Sequence, residues 1–212
     1  VSLGIISFLS TQQKLLSDHN NAGRSDMNRY LSIILLSLAT LIAVPSYGET
    51  MSDLDMRDDL YYRENSDVPF TGRLIGKWQG SFKNGKKVGI WKIYHGNGQL
   101  WAKGKNTNGK RDGPWVSFWS NGQLEYKGDY KENERKGPWL EYHNNGKLKS
   151  EGNYKNGKKD GPWISFWSNG QLEYKGDYKE NKREGFWIYY RMNGTVFSEV
   201  GGTFKNGVKV VD

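Results

Sequence analysis

The chain has 212 residues, which allows one or two domains, and it is rich in glycine (27), tryptophan (9) and tyrosine (13). Aliphatic residues are too few for a conventional large core, while 14% aromatic residues argue against disorder, so we expect a repeated, flat β architecture with burial based on rings. The absence of cysteine excludes a disulfide framework, a thiol nucleophile, a cysteine zinc site and a lipobox anchor. A net charge of +8 fits either simple solubility or attraction to an acidic partner or surface.

Residues 27–48 have the pattern of a secretory signal peptide, which forms a helix. A short basic start at 27–30 is followed by apolar or small residues at 31–44, and Pro45 ends the run. Ser46, Tyr47 and Gly48 then allow cleavage after Gly48. The run is short for a membrane span, which needs about 20 residues. We therefore expect export to the periplasm, the outer envelope or the medium, with an uncleaved N-terminal membrane anchor as the alternative.

Two further segments precede the main domain. Residues 1–26 stand before the signal pattern and begin with Val1, so our hypothesis is a spurious or disordered N-terminal extension, with Met27 as the initiator and a mature chain from about Glu49. Residues 49–67 are polar and acidic, and we expect a short helical cap or a loose arm there. The β-repeat domain is predicted to span residues 68–212.

A unit of 24 residues repeats five times and is anchored on a tryptophan, which is numbered as position 0 of the unit. Glycine stands at −2 in every unit, proline at −1 in three units, Asn-Gly at +6 and +7, and leucine or valine at +9. Residues 117–133 are identical to residues 165–181, so the array has grown by duplicating a pair of units. The anchors are Trp91, Trp115, Trp139, Trp163 and Trp187, and the +7 glycines are Gly98, Gly122, Gly146, Gly170 and Gly194.

Each unit is predicted to be a β hairpin. Asn-Gly favours a type I′ turn because both central residues need positive φ, and we expect that turn between the short strand after each tryptophan and the longer strand that comes next. A second Asn-Gly turn is marked at 84–85, 156–157 and 206–207. The predicted fold is therefore all-β, an antiparallel hairpin meander forming a solenoid-like repeat sheet, with atypical units at both ends.

A period of two assigns side chains to faces. Positions +1 and +3 share one face of the first strand, and positions +9, +11, +13 and +15 share a face of the second; the tryptophan and position +4 are left unassigned. A recurrent glycine within a strand is destabilising unless something packs on it. We expect either the tryptophan or the +3 ring to lie on the glycines at +13, which are Gly104, Gly128, Gly152 and Gly176.

The unit Gly-x-Trp-x-x-[Tyr/Phe]-x-x-Asn-Gly-x-Leu-x-x-x-Gly-x-Tyr-Lys-x-Gly-Lys, with the opening at 67–72, resembles the bacterial variant of the MORN repeat over residues 68–208. The resemblance implies a solenoid-like hairpin sheet and a protein- or membrane-binding role, with no catalytic residues. Many proteins of this kind are labelled as the antitoxin component of a toxin–antitoxin system. It therefore also implies an alternative function, the neutralisation of a cognate toxin by direct binding.

The turn before each tryptophan is basic, and these basic turns are the predicted partner-binding site. Stacked units would align them on one edge, about 10 Å apart, where they could engage an acidic protein, an anionic membrane surface or an envelope polymer. Solvated charges that discourage edge aggregation are the alternative interpretation. The predicted binding residues are Lys86, Lys87, Lys110, Arg111, Arg135, Lys136, Lys158, Lys159, Lys182 and Arg183.

No other pattern indicates catalysis. His95 and His143 occupy position +4, where Trp119 and Trp167 stand in other units, and no third metal ligand recurs with them. Carboxylates recur at +10 and +14 of the two duplicated units, and paired acids can hydrolyse glycosides at suitable separations. We expect no enzyme, no cofactor, no small-molecule substrate and no nucleic acid. The predicted function is an exported, non-catalytic module that binds a protein or an envelope component, with antitoxin-like neutralisation or peripheral membrane binding as alternatives.

Overall fold

The computed structural model describes residues 48–210, which form an antiparallel meander, so the predicted fold class is confirmed. Thirteen strands, β3 to β15, lie side by side in chain order, and β1 and β2 form a separate hairpin. The predicted signal helix at 27–48, apart from Gly48, and the extension 1–26 lie outside the described residues. The strands are β1 (Leu54–Arg57), β2 (Leu60–Arg63), β3 (Gly72–Leu74), β4 (Trp78–Lys83), β5 (Lys86–Tyr94), β6 (Leu100–Thr107), β7 (Lys110–Phe118), β8 (Leu124–Lys131), β9 (Glu134–Tyr142), β10 (Leu148–Lys155), β11 (Lys158–Phe166), β12 (Leu172–Lys179), β13 (Lys182–Tyr189), β14 (Gly202–Lys205) and β15 (Val208–Lys209).

The segment 49–67 differs from the expected helical cap or loose arm. It forms one 3₁₀ turn (Met51–Asp53) and then the β1–β2 hairpin, whose Leu54 and Tyr61 pack against the core at the front of the sheet. The Tyr61 amide donates to the carbonyl of Gly85 at 2.9 Å. Asp58 and Asp59 both have positive φ, at 49° and 60°. The acidic pair that suggested a solvated arm is therefore a hairpin turn, because aspartate tolerates the left-handed conformation.

The basic turns are two-residue loops with positive φ at both central residues, as type I′ turns require. Asn84 and Gly85, for example, have φ of 49° and 74°. Two of these turns use Glu-Asn instead, and Glu132 and Asn133 still adopt φ of 50° and 73°. The backbone of the repeat therefore imposes this turn even where the sequence is not the preferred one.

The turns after each tryptophan, called the asparagine turns, are not the predicted type I′. Only the glycine has positive φ there: Gly122, at 84°, is in the left-handed region and Asn121 is not. The Trp119 amide donates to the Gln123 carbonyl at 2.8 Å, and the Gly122 amide donates to the Trp119 carbonyl at 2.8 Å. This is a three-residue loop, a type I turn followed by a left-handed glycine. Asn121 is needed for side-chain bonding instead, since its Oδ1 accepts the Gln123 amide at 3.0 Å.

Trp115, Trp139 and Trp163 each pair with a glycine on both neighbouring strands, and Trp91 and Trp187 pair with a glycine on the strand that follows. These pairs define the tryptophan face of the sheet. Trp115 stands opposite Gly104 on β6 and Gly128 on β8. Residues at +2, +11 and +15 lie on the same face, because cross-strand partners and alternate residues share a face. The anchors are between 0% and 3% exposed although the sheet is a single layer. Burying one such ring contributes about 4–6 kcal/mol of transfer free energy.

The other side of the sheet is called the proline face, and it carries positions −1, +1 and +3. The prediction that +9 shares a face with +11 is wrong. Ser117 pairs with Tyr126, but Phe118 pairs with Leu124, so one extra residue, Glu125, is accommodated in β8. This bulge transfers the +9 leucine to the proline face, opposite the +3 ring. The same register shift occurs at the start of β6, β10 and β12.

Candidate interaction surfaces

The tryptophan face is closed by its own side chains. The ring of each anchor lies on the glycine of the preceding unit: a methyl group at Gly128 would stand 2.6 Å from Cζ3 and 2.7 Å from Cδ2 of Trp139. Of the two rings considered from the sequence, the tryptophan is the one that covers the glycine. Tyr130 meets the Trp139 ring edge-on at 5.3 Å, and Tyr126 stacks on it at 5.2 Å. This packing covers the anchor rings, and a polar hollow of about 670 Å³, lined by Arg111, Tyr130, Arg135 and Tyr154, lies beside them toward the basic turns.

Half of the predicted basic site belongs to this closed packing. Arg135 lies with its guanidinium carbon 4.5 Å from the Trp139 ring centre, and it donates to the Tyr154 hydroxyl at 2.7 Å. Lys159 lies 4.1 Å from the Trp163 ring centre. Burial lowers the pKa of Lys87 and of Lys159. The cations at −4 all pack on aromatic rings in this way and are Lys87, Arg111, Arg135, Lys159 and Arg183.

The remaining predicted cations are exposed, but two of them are paired with acids. Lys110 lies 3.2 Å from Glu132 of the next basic turn, and Lys158 lies 3.7 Å from Glu180. The basic turns therefore form a mixed-charge rim rather than a continuous cationic ridge. The exposed members of the predicted set are Lys86, Lys110, Lys136, Lys158 and Lys182.

The asparagine turns are tied together by a hydrogen-bond ladder that explains the exchange of histidine and tryptophan at +4. His143 Nε2 donates to the Phe166 carbonyl at 2.8 Å, and Trp119 Nε1 donates to the Tyr142 carbonyl at 3.1 Å. Both rings therefore donate one N–H hydrogen bond to a backbone carbonyl of the next unit. Asn145 Nδ2 reaches the Ser168 carbonyl at 2.8 Å in the same manner. The histidines thus join repeats, and within residues 48–210 no group of three or more potential ligands stands together to hold a metal.

The recurrent carboxylates are separated by the sheet. Glu125 accepts a hydrogen bond from the Ser117 hydroxyl at 2.6 Å on the tryptophan face. Asp129 pairs with Pro114 and so stands on the proline face. Glu173 and Asp177 repeat this arrangement. The acids at +10 and +14 of one unit therefore do not face a common substrate position.

The proline face holds a shallow apolar groove that sequence reasoning did not identify. Its volume is about 820 Å³, and its floor crosses β9, β11 and β13. Phe186 is 66% exposed there. The apolar rows at −1 and +1 are visible in the sequence. The sequence does not show which face the tryptophans cover, and so it does not show that the face with these rows is the open one. The apolar lining includes Pro138, Leu140, Pro162, Ile164, Phe186 and Ile188, together with the anchors Trp139 and Trp163, and the polar lining includes Glu151, Asn153, Lys175 and Asp177.

These features define a single-sheet β-hairpin repeat protein with one closed face and one open face. Four segments of the chain, residues 87–108, 111–132, 135–156 and 159–180, match the family model described as MORN repeat variant. Each matched segment begins at the −4 cation that packs on the anchor ring. MORN repeats are commonly protein- or membrane-binding modules without catalytic function. The comparison with curated proteins gives no match.

Proposed function

We propose that this protein is an exported, non-catalytic module that binds a protein partner through the proline face. The observation that carries the proposal is the exposed apolar groove beside a face that is already closed. Contiguous exposed apolar surface of this kind marks interaction sites in soluble proteins. Export is proposed from the signal pattern at 27–48. Within residues 48–210, no helix has the length and apolar character of a membrane span.

Site-specific photo-crosslinking in expressing cells tests the contact surface. Benzoylphenylalanine is introduced at Phe186 on the proline face or, as the matched control, at Lys182 in a basic turn. Both positions are exposed and only four residues apart. We expect protein adducts from position 186. The variant Ile164→Asp should abolish these adducts, whereas Arg73→Glu in β3, the first strand of the main sheet, should not. Adducts formed from position 182 alone would contradict the proposal and favour the basic turns.

Two further measurements address the remaining parts of the proposal. A fusion of residues 27–48 to an enzyme that is active only outside the cytoplasm should be active, and an inactive fusion would refute export. Vesicles with anionic headgroups test the peripheral-membrane alternative. We expect little binding at about 0.15 M salt, because the −4 cations are packed on rings; strong, salt-sensitive binding would favour that alternative.

Antitoxin-like neutralisation would be one form of protein binding. It predicts that the crosslinked partner is toxic when expressed alone. A harmless partner would exclude it for this complex.

A further inference from the structure

The spacing of the apolar positions on the proline face restricts what can lie across it. Successive units are two strands apart, so equivalent side chains recur at about 9.6 Å. Positions −1 of the five units, which are Ile90, Pro114, Pro138, Pro162 and Phe186, form one such row. An occupant that uses every unit must present an apolar group at that same interval.

Among regular peptide conformations, polyproline II has the closest period. Three residues of polyproline II advance about 9.3 Å and return to the same side. Seven residues of an α-helix advance about 10.5 Å, so the mismatch per unit is about three times larger. In a β-strand, same-side residues recur at about 6.7 Å, which does not divide the unit spacing. Over four intervals the polyproline II mismatch is about 1.2 Å, which side-chain adjustment can absorb.

The charges on the proline face are unevenly distributed along the row. Position −3 also lies on this face, since Lys136 pairs with Asp129 and Glu184 with Asp177. The half nearer the N-terminus therefore carries four lysines, Lys92, Lys103, Lys105 and Lys127, against two acids, Asp112 and Asp129, whereas the groove half carries three acids, Glu151, Asp177 and Glu184, with Lys136 and Lys175. Within the described residues, none of the four lysines takes part in an ion pair. Complementarity therefore favours acidic residues over β6 to β8 and uncharged apolar residues over β9 to β13.

We infer that the partner segment bound by the proline face is a proline-rich polyproline II stretch with acidic residues at one end. Its apolar groups, one per three residues, sit on successive units, and its carboxylates lie over Lys103 and Lys127. Asn153 and Lys175, which line the groove, supply donors for the peptide carbonyls that polyproline II leaves without internal partners. This inference rests on the proposed function, since it names the partner of the same site.

A direct binding measurement with synthetic peptides tests it. The protein is residues 48–212, which form a compact unit by themselves. The probe is a labelled 15-residue peptide made of two Asp-Pro-Pro triplets and three Pro-Pro-Pro triplets, with the acidic triplets at either end in two versions. Control peptides replace aspartate with lysine, or replace every proline with glycine or serine. We expect saturable binding of one acidic proline peptide and at least about tenfold weaker binding of both controls.

Protein variants locate the site. Ile164→Asp in the groove floor is expected to weaken probe binding at least about tenfold, and Lys127→Glu about fivefold at low salt. Lys182→Glu, a charge change of the same size in a basic turn, should leave affinity unchanged. Because Ile164 is half-buried, Phe186→Ser at the 66% exposed position serves as the second groove variant, and circular dichroism checks the fold of each.

The outcomes distinguish a failure of the polyproline II inference from a failure of the proposed protein binding through the proline face. Equal binding of the flexible glycine–serine peptide, or loss of binding by Lys182→Glu rather than by the groove variants, would overturn the polyproline II assignment. If no proline peptide binds while crosslinks from position 186 still capture a partner, only the conformational assignment fails. If crosslinks from position 186 are also absent, the proposed function fails with it.

Discussion

The replacement Gly128→Ala tests the packing of the tryptophan rings on the glycines. Gly128 lies in β8 directly beneath Trp139, which is 0% exposed. The added methyl group would stand 2.6 Å from Cζ3 of that ring, where ordinary contact begins at 3.4 Å. Gly96 supplies the matched control because a methyl group there meets nothing within 4 Å.

The expected cost depends on the groups that surround the ring. Trp139 would have to move by roughly 1.5 Å to restore normal carbon–carbon contact, because its Cε3 atom stands closer still to the added methyl group. It is held by Tyr126, Tyr130 and Tyr154, with ring centroids between 5.2 Å and 5.7 Å away, and by Arg135 at 4.5 Å. Overpacking of a tightly filled site costs about 1–3 kcal/mol. At about 2–4 °C per kcal/mol for a domain of this size, the melting temperature should fall by about 2–12 °C.

Thermal and urea unfolding, followed by tryptophan fluorescence, measure the effect. Gly96→Ala should leave stability unchanged or raise it slightly, since it restricts only the unfolded chain. The double variant Gly128→Ala/Trp139→Val should lose less stability than the two single variants lose together, because the valine side chain no longer overlaps the added methyl group. An unchanged melting temperature for Gly128→Ala, or equal effects of the two alanines, would refute ring-on-glycine packing.

Three further predictions concern other contacts. His143→Trp should be tolerated, because tryptophan makes the same inter-unit bond in other units, whereas His143→Phe should lose about 1 kcal/mol in urea unfolding; equal stability of both would refute the ladder. Burial raises the pKa of Tyr178 to about 12, so the folded state keeps a proton that the unfolded state loses above about pH 10. Stability should therefore fall between about pH 10 and 12, and Tyr178→Phe should flatten that slope in alkaline unfolding curves; an unchanged slope would contradict the assignment. Arg135→Met should lower the free energy of unfolding in urea by about 1–2 kcal/mol, while Lys136→Met at the exposed neighbour should leave it unchanged. Equal effects would mean that Arg135 is an ordinary surface charge.

The hairpin meander could be predicted because its signals are local and recur every 24 residues. The conformation of the asparagine turns could not, since Asn-Gly fits two loop types. The choice depends on the Asn121 side chain bonding to the carbonyl of Asn144 in the next unit, at 2.7 Å. Such contacts across units have no marker in the sequence of one unit.

The candidate site was predicted least well, for a physical reason. In the sequence, a basic pair such as Lys158-Lys159 is simply two adjacent charges. The sequence does not show that Lys158 points to solvent while Lys159 packs on an indole ring. That division is set by the left-handed glycine at −2, Gly161, with φ of 91°, and by the irregular pairing between β10 and β11. The +9 leucine was misplaced for the same reason, because a bulge shifts a residue to the other face without altering hydrophobic periodicity.

The duplicated block permits a direct test of whether identical units stack interchangeably through tryptophan and glycine. Deleting residues 117–164 joins Val116 to Ser165, and the next 17 residues are identical to those they replace. The shortened chain should fold cooperatively, with buried tryptophan fluorescence and lower stability. Deleting residues 117–163 instead leaves one extra residue at the junction and should expose tryptophan, because a slip of one residue turns every side chain to the opposite face. An unfolded product from the first deletion, or indistinguishable fluorescence for the two, would contradict the account.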